Sequence, residues 1–143
     1  MQQARDPRET LLRADVRAFL EEPGHFAVVA TLAADGRPHQ AAAWYLVRGE
    51  ALILNSRVGR RWPTNLLRDP RVSVLVVDEY RWVSLRGAVE VDHDPERSQA
   101  DIAEMARRYH ADDPDVAERA IAEFRSQQRV TFILRPARVA ADL

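Results

Sequence analysis

The sequence predicts a mainly β protein with helices (α+β): a small antiparallel barrel of six strands, with helices packed on it. Three observations predict it. Short apolar runs rich in β-branched residues recur through residues 25–91, separated by turn-forming residues. Two Asp-Pro pairs, Asp94-Pro95 and Asp113-Pro114, then open two amphipathic helical segments. One more β-rich run, Arg129–Leu134, follows them and closes the sheet, hiding edges that would otherwise aggregate.

The elements follow in order. Asp6-Pro7-Arg8-Glu9 reads as a helix start, with Asp6 as N-cap, Pro7 at the first position and Glu9 reaching back. Leu12, Val16, Phe19 and Leu20 share one face, and Pro23-Gly24 ends the helix, which spans about residues 7–21. His25–Leu32 and His39–Val47 are partner strands around the Asp35-Gly36 turn. Arg48-Gly49-Glu50 turns into a strand over Ala51–Asn55. A short helix runs from about Trp62 to Asp69, with Pro63 in its first turn and Pro70 closing it. Val72–Val77 and Arg81–Val91 are strands, and Gly87 marks a bulge or bend in the second. The helical pair covers about residues 95–126, with Ile102, Met105, Ala106 and Tyr109, then Ala117, Ala120, Ile121 and Phe124, turned inward. Arg107-Arg108 reads as a solvated helix face, and Pro136 limits the last strand. The barrel therefore takes about residues 25–91 and 129–141 of a single domain, 1–143.

Composition narrows the function. The net charge is -1, which argues against a nucleic-acid binder. There is no cysteine, so disulfides, thiolate metal sites and cysteine nucleophiles are excluded, and a reducing compartment fits. The opening residues lack the apolar stretch of a signal peptide, and no run is long enough to span a membrane, so the expected location is cytoplasmic. His25, His39, His93 and His110 show no metal-ligand spacing and read as surface or strand-end residues, so no metal is expected. Asp112, Asp113 and Asp115 lack the glycine and glutamate of a calcium loop and suit helix capping. No Gly-x-Ser-x-Gly elbow, Walker loop or Gly-x-Gly-x-x-Gly turn occurs.

The block Asn55–Arg71 holds the strongest chemical signal. A strand ends at Asn55-Ser56, and Arg57, Arg60 and Arg61 crowd the loop before a helix N-terminus. Free N–H groups and guanidinium forks together describe an anion site, with phosphate the leading anion. A solvated basic turn before a surface helix is the alternative. Nearby, Ala41, Ala42 and Ala43 are small enough to let a flat ring approach the backbone, and they also suit tight barrel packing. Trp82, Ser84 and Arg86 share one strand face.

Taken in order, three stretches resemble the pyridoxamine-phosphate-oxidase-like split β-barrels, which bind flavin or deazaflavin. They are Ala30–His39, Asn55–Arg71 and Val83–Val91. The short chain is most similar to the actinobacterial-type branch that uses the deazaflavin coenzyme F420. The resemblance implies a split barrel like that of FMN-binding proteins, and a homodimer with two cofactor sites at its interface. It implies that the cofactor phosphate lies against Arg57, Arg60 and Arg61, at the strand end Asn55-Ser56, with Ser56 and Asn65 as hydrogen-bond partners. The ring would lie along Gln40, Ala41, Ala42, Ala43 and Trp44, and Trp82 would reach the neighbouring subunit's cofactor or pack at the interface. Many relatives carry lysine where this chain has Trp62. The implied activity is an oxidoreductase passing a hydride from reduced F420 to a conjugated or unsaturated small organic substrate. The alternatives are an FMN-dependent enzyme of the same fold, or a non-catalytic carrier of a flavin, deazaflavin or tetrapyrrole. No side chain stands out as a proton donor.

Overall fold

The computed structural model describes residues 13–143, so the predicted helix start at Asp6-Pro7 and the position of Leu12 lie outside the described residues. The described residues form eight strands and four helices. The strands are β1 (Ala27–Leu32), β2 (Pro38–Ala43), β3 (Leu46–Arg48), β4 (Ala51–Arg57), β5 (Arg71–Asp78), β6 (Arg81–Asp92), β7 (Arg129–Leu134) and β8 (Arg138–Asp142). The helices are α1 (Ala14–Glu21), α2 (Arg61–Arg68), α3 (Pro95–Tyr109) and α4 (Pro114–Phe124). All strand pairs are antiparallel, in the order β2-β1-β5-β6-β7-β4-β3, with β8 also paired to β6.

Eight strands stand where six were predicted, for two reasons. First, the predicted strand His39–Val47 is broken: Trp44 and Tyr45 leave the ladder between β2 and β3. β2 pairs with β1, whereas β3 pairs with β4. These two strands end the sheet on opposite sides, yet only three Cα–Cα steps join them, at most roughly 11 Å. The sheet must therefore curl until its two ends meet, giving a half-barrel with its seam at Trp44-Tyr45. Buried Tyr45 fastens that seam, donating its hydroxyl to the Leu20 carbonyl at 2.7 Å. Second, Pro136 stops β7 but not the sheet, because the chain resumes as β8.

The long strand β6 makes this possible. Its outer edge pairs with β8 along Trp82–Arg86 and with β7 along Val89–Asp92. Gly87 sits at the change of partner. The predicted bulge is absent, since β5 pairs with β6 in unbroken register through Val72↔Gly87. Gly87 is instead a point of close approach. A Cβ there would lie 3.2 Å from the Ala137 nitrogen and 3.2 Å from Leu134 Cδ1. The Ala137 N–H meanwhile donates to the Arg86 carbonyl at 2.8 Å.

The inside of the curl holds the main core, including Val29, Leu52, Leu54, Val74, Val76, Leu85, Phe132 and Leu134, with Trp62 and Leu66 of α2 against it. The outer face of β4 is covered by α3, where Ile102 and Met105 meet Leu46, Ala51 and Ile53. Covered on both sides, β4 reads as an apolar run rather than an alternation. Helices α3 and α4 start where the Asp-Pro pairs place them. The Asp94 and Asp113 carboxylates accept from the Arg97 and Val116 N–H groups, each cap contributing about 1 kcal/mol. Arg107 is exposed beside Glu118, but Arg108 corrects the expectation of a solvated pair. Its guanidinium lies 5.1 Å over the Tyr45 ring and donates to the Leu20 carbonyl at 2.9 Å, favourable at the C-terminal end of α1.

Gly87→Val is expected to lower stability by about 1–3 kcal/mol, because overpacking displaces the β7–β8 link. Urea denaturation checks this, and an unchanged midpoint would contradict the close approach.

Candidate functional site

At the seam, a cavity of about 270 Å³ opens between the end of β2, the end of β4, the start of α2 and the α3–α4 pair. Four apolar side chains dominate its walls: Phe26, Trp62, Ile102 and Phe124. Ala42, Ala43 and Trp44 contribute one rim, and Asn55, Ser56, Arg60 and Arg129 contribute the polar end.

Each aromatic wall is held from behind. Trp44 stacks on Tyr109 of α3 at 5.0 Å and 8°, and Phe124 of α4 meets it edge-on at 6.3 Å. Trp62 is buried and packs on Phe132 at 5.7 Å. Trp62 thus supplies a flat wall at the start of α2.

The polar end is a convergence of positive charge. Arg57 and Arg129 face each other directly across β4 and β7. Like charges in that relation repel. Arg60 approaches as the N-cap residue of α2. Among the described residues, no carboxylate pairs with any of the three. Burial, then Arg60 and Arg57, push the Arg129 guanidinium down to about 10, so it remains charged at neutral pH. The first turn of α2 has no acidic residue and no side-chain cap, which leaves its leading N–H groups open. The buried Ser56 hydroxyl makes one long contact, 3.3 Å to the Arg57 carbonyl. This is the chemistry of an anion site: donors and positive charge, with no anion from the protein.

Arg129 is held by an ordered chain of hydrogen bonds. Its Nε donates to Asn55 Oδ1 at 2.8 Å, and Nη1 donates to Gln127 Oε1 at 2.6 Å. The Asn55 amide nitrogen donates to the Ser98 carbonyl at 2.9 Å and to Thr131 Oγ1 at 3.0 Å. Thr131 in turn donates to Asp101 Oδ2 at 2.8 Å, and Arg48 pairs with Asp101 Oδ1 at 2.9 Å. The guanidinium lies 4.7 Å over the Phe124 ring.

Of the residues expected to form the site, Ala42, Ala43, Trp44, Asn55, Ser56 and Arg60 line one cavity. Arg57 lies at the exposed end of β4, opposite Arg129. Arg61 is exposed on the first turn of α2, away from the lining. Asn65 is buried and engaged elsewhere: its amide nitrogen donates to Thr31 Oγ1 at 3.0 Å and its oxygen accepts from Arg68 at 3.1 Å, tying α2 to β1. Ala41 faces the core, whereas Gln40 and Trp82 lie on the outer face of the sheet. Sequence reasoning missed Arg129, Phe26, Ile102 and Phe124. Only the pairing of β4 with β7 brings Arg129 opposite Arg57, and no local spacing reveals that. Away from the cavity, Glu22, His25 and Asp78 form the one cluster of potential metal ligands among the described residues. Arg81 already pairs with Glu22 and Asp78 there. His25, expected at the surface or at a strand end, lies just ahead of β1 and is buried, stacked on Phe19 at 4.7 Å.

The chain matches the pyridoxamine 5'-phosphate oxidase family over residues 12–141, and it belongs to that family. Similar solved structures include one described as an F420 reductase, with 28% identity, covering 85% of this chain and 94% of that one, at a TM-score of 0.67. Another is the conserved hypothetical protein Rv2991 from Mycobacterium tuberculosis, at 25% identity, coverage of 99% and 89%, and a TM-score of 0.71. The fold is also that of HutZ, a haem storage protein from Vibrio cholerae, at 19% identity, coverage of 90% and 93%, and a TM-score of 0.66. No curated protein matches the chain. Among the described residues, no helix is long and apolar enough to cross a membrane.

Asn55→Leu is expected to destabilise the fold by about 2–4 kcal/mol, since it orphans the Ser98 carbonyl and the Arg129 Nε while removing a buried network. Chemical denaturation measures this, and a loss below about 0.5 kcal/mol would contradict the network's role.

Proposed function

We propose that the protein is an oxidoreductase that binds coenzyme F420 and uses its reduced form to deliver a hydride to a conjugated or unsaturated small organic substrate. The observation that carries this reading is the cavity itself: unneutralised guanidinium groups at one end and flat aromatic walls beside them. The residues fit a phosphate-bearing tricyclic coenzyme. Arg60, the Ser56 hydroxyl and the open N–H groups of α2 would hold the phosphate, with Arg57 at the outer side. Ala42 and Ala43 leave room for a ring beside the β2 backbone, and Trp44 and Trp62 bound it. The similarity to an F420 reductase supports the deazaflavin over FMN, and FMN is the second reading because the family embraces phosphate-bearing flavin chemistry. None of the cavity-lining residues is the His, Met, Tyr or Cys that would ligate haem iron, which disfavours a haem carrier.

The chain's own contribution is binding and orientation. Fixing the ring against an acceptor supplies the proximity on which such a transfer depends. No lining residue is an evident acid, so proton delivery falls to solvent.

The proposed assembly is a homodimer. At about 270 Å³ the cavity falls just below the usual range for a cofactor pocket. Its Phe26 and Ala42 also belong to the outer face of the sheet, where Ala42, Val28, Leu75, Ser84 and Ala140 stand in one register row across five strands. Phe26, Leu75 and Val77 are exposed there at 54%, 38% and 47%. A second copy seated on this apolar face would cover it and complete the cavity, bringing its own Trp82 face close to the site. A cysteine-free chain of this kind suits the cytoplasm.

Trp44 and Trp62 in the walls make tryptophan fluorescence the natural readout. F420 is expected to quench it saturably and FMN more weakly; a yellow protein with tightly held flavin would instead establish the FMN reading. Arg60→Ala is expected to weaken F420 binding about 10- to 100-fold, as for a lost charge-assisted contact, and Arg61→Ala to change it less than about threefold. Unchanged affinity in Arg60→Ala would refute the phosphate assignment.

A further inference from the structure

We propose that Arg129, reached from the last part of the chain rather than from the arginine-rich loop, is the inner ligand of the bound phosphoryl group. In this proposal Asp101 of α3 positions it through Thr131 and Asn55. The inference rests on the reading of the cavity as a phosphate site and adds a residue and a relay to it.

The donor order in the relay has only one consistent direction. Asp101 has two carboxylate oxygens, one engaged by Arg48 and the other by Thr131 Oγ1. A carboxylate can only accept, so the Thr131 hydroxyl must spend its single proton on Asp101. Its oxygen is then an acceptor towards Asn55, which must turn its NH2 group to Thr131 and to the Ser98 carbonyl. That fixes the Asn55 carbonyl oxygen towards Arg129 Nε. With Nε held by Asn55, Nη1 held by Gln127 and the guanidinium plane set over Phe124, one terminal nitrogen, Nη2, makes no hydrogen bond to a described residue. A half-buried guanidinium with no carboxylate partner, beside Arg57 and Arg60, is costly unless an anion completes it. The relay keeps it there: without the Thr131 hydroxyl one Asn55 N–H loses its acceptor, and the Ser98 carbonyl alone is left to hold the amide whose oxygen orients Arg129. Asp101 and Thr131 are therefore positioning residues, and neither lines the cavity.

The test compares phosphate-bearing ligands with their phosphate-free chromophores: F420 against the deazaflavin lacking its phosphate-bearing tail, and FMN against riboflavin. Dissociation constants come from tryptophan quenching on the full chain, with circular dichroism confirming the fold of each variant. Arg129→Met is expected to weaken the phosphate-bearing partner about 10- to 100-fold and the phosphate-free partner less than about twofold. Thr131→Val is expected to cause a smaller loss of the same kind, about 5-fold or more, and Thr131→Ser, which keeps the hydroxyl, to restore wild-type preference. A purely structural role for Thr131 would weaken both members of a pair alike and would not be rescued in this selective way. A wild-type preference for the phosphate-bearing ligand that survives in Arg129→Met overturns this inference alone. A wild type with no such preference overturns it together with the phosphate-site reading.

Discussion

Positive charge without a counter-ion is the constraint on which the site depends. Arg57 and Arg129 stand opposite each other in the β4–β7 ladder, and Arg60 caps α2 beside them. A cross-strand like-charge pair costs on the order of 0.2–1 kcal/mol, and burial of a guanidinium adds to that. The core offsets this cost: β4 and β7 pair over six residues, from Leu52↔Leu134 to Arg57↔Arg129, and the apolar members of that ladder other than half-buried Ile133 are almost wholly buried. The fold thus tolerates locally a feature that a bound anion would make favourable, a pattern expected where function and stability compete.

The curl of the sheet explains why the charge lies next to a flat apolar cavity. Trp44 and Tyr45 bridge the two ends of the strand order, so the end of β2 is brought beside the end of β4. Tyr45 turns inward and is buried, while Trp44 turns to the cavity. The α3–α4 pair then roofs the gap with Ile102 and Phe124. The same pair carries Ser98 and Asp101, whose oxygens end the hydrogen-bond chain from Arg129. The helices therefore shape the cavity and orient its charge at once, and their packing against β3 and β4 couples the site to the second core cluster.

Local chemistry made much of this legible in the sequence. The Asp35-Gly36 turn, the Pro63 and Pro70 limits of α2 and the Asp-Pro starts of α3 and α4 each depend on neighbours within a few residues. What escaped depends on contacts distant along the chain. Nothing in the run His39–Val47 announces a break, because β2 and β3 keep strand-like composition on both sides of Trp44-Tyr45. Gly87 was legible as an exception, but only the crossing of the Leu134–Ala137 segment shows that it allows close approach and not a bulge. Asn65 illustrates the opposite error: a polar residue in an arginine-rich block is expected to meet ligand, yet burial commits it to Thr31 and Arg68. Arg129 lies 72 residues beyond Arg57 in the numbering, and only the β4–β7 pairing brings the two together.

The most direct measure of the central claim is thermal unfolding against inorganic phosphate at constant ionic strength, for the wild type and for an Arg60→Ala, Arg129→Met double variant. Phosphate raises the stability of many proteins by exclusion from their surface, and the double variant subtracts that general effect. Specific binding to the native state predicts a Tm that rises with phosphate in the wild type beyond the rise in the variant, following the logarithm of ligand concentration. Parallel curves for the two proteins would contradict the account, because the converging arginines would then hold no anion.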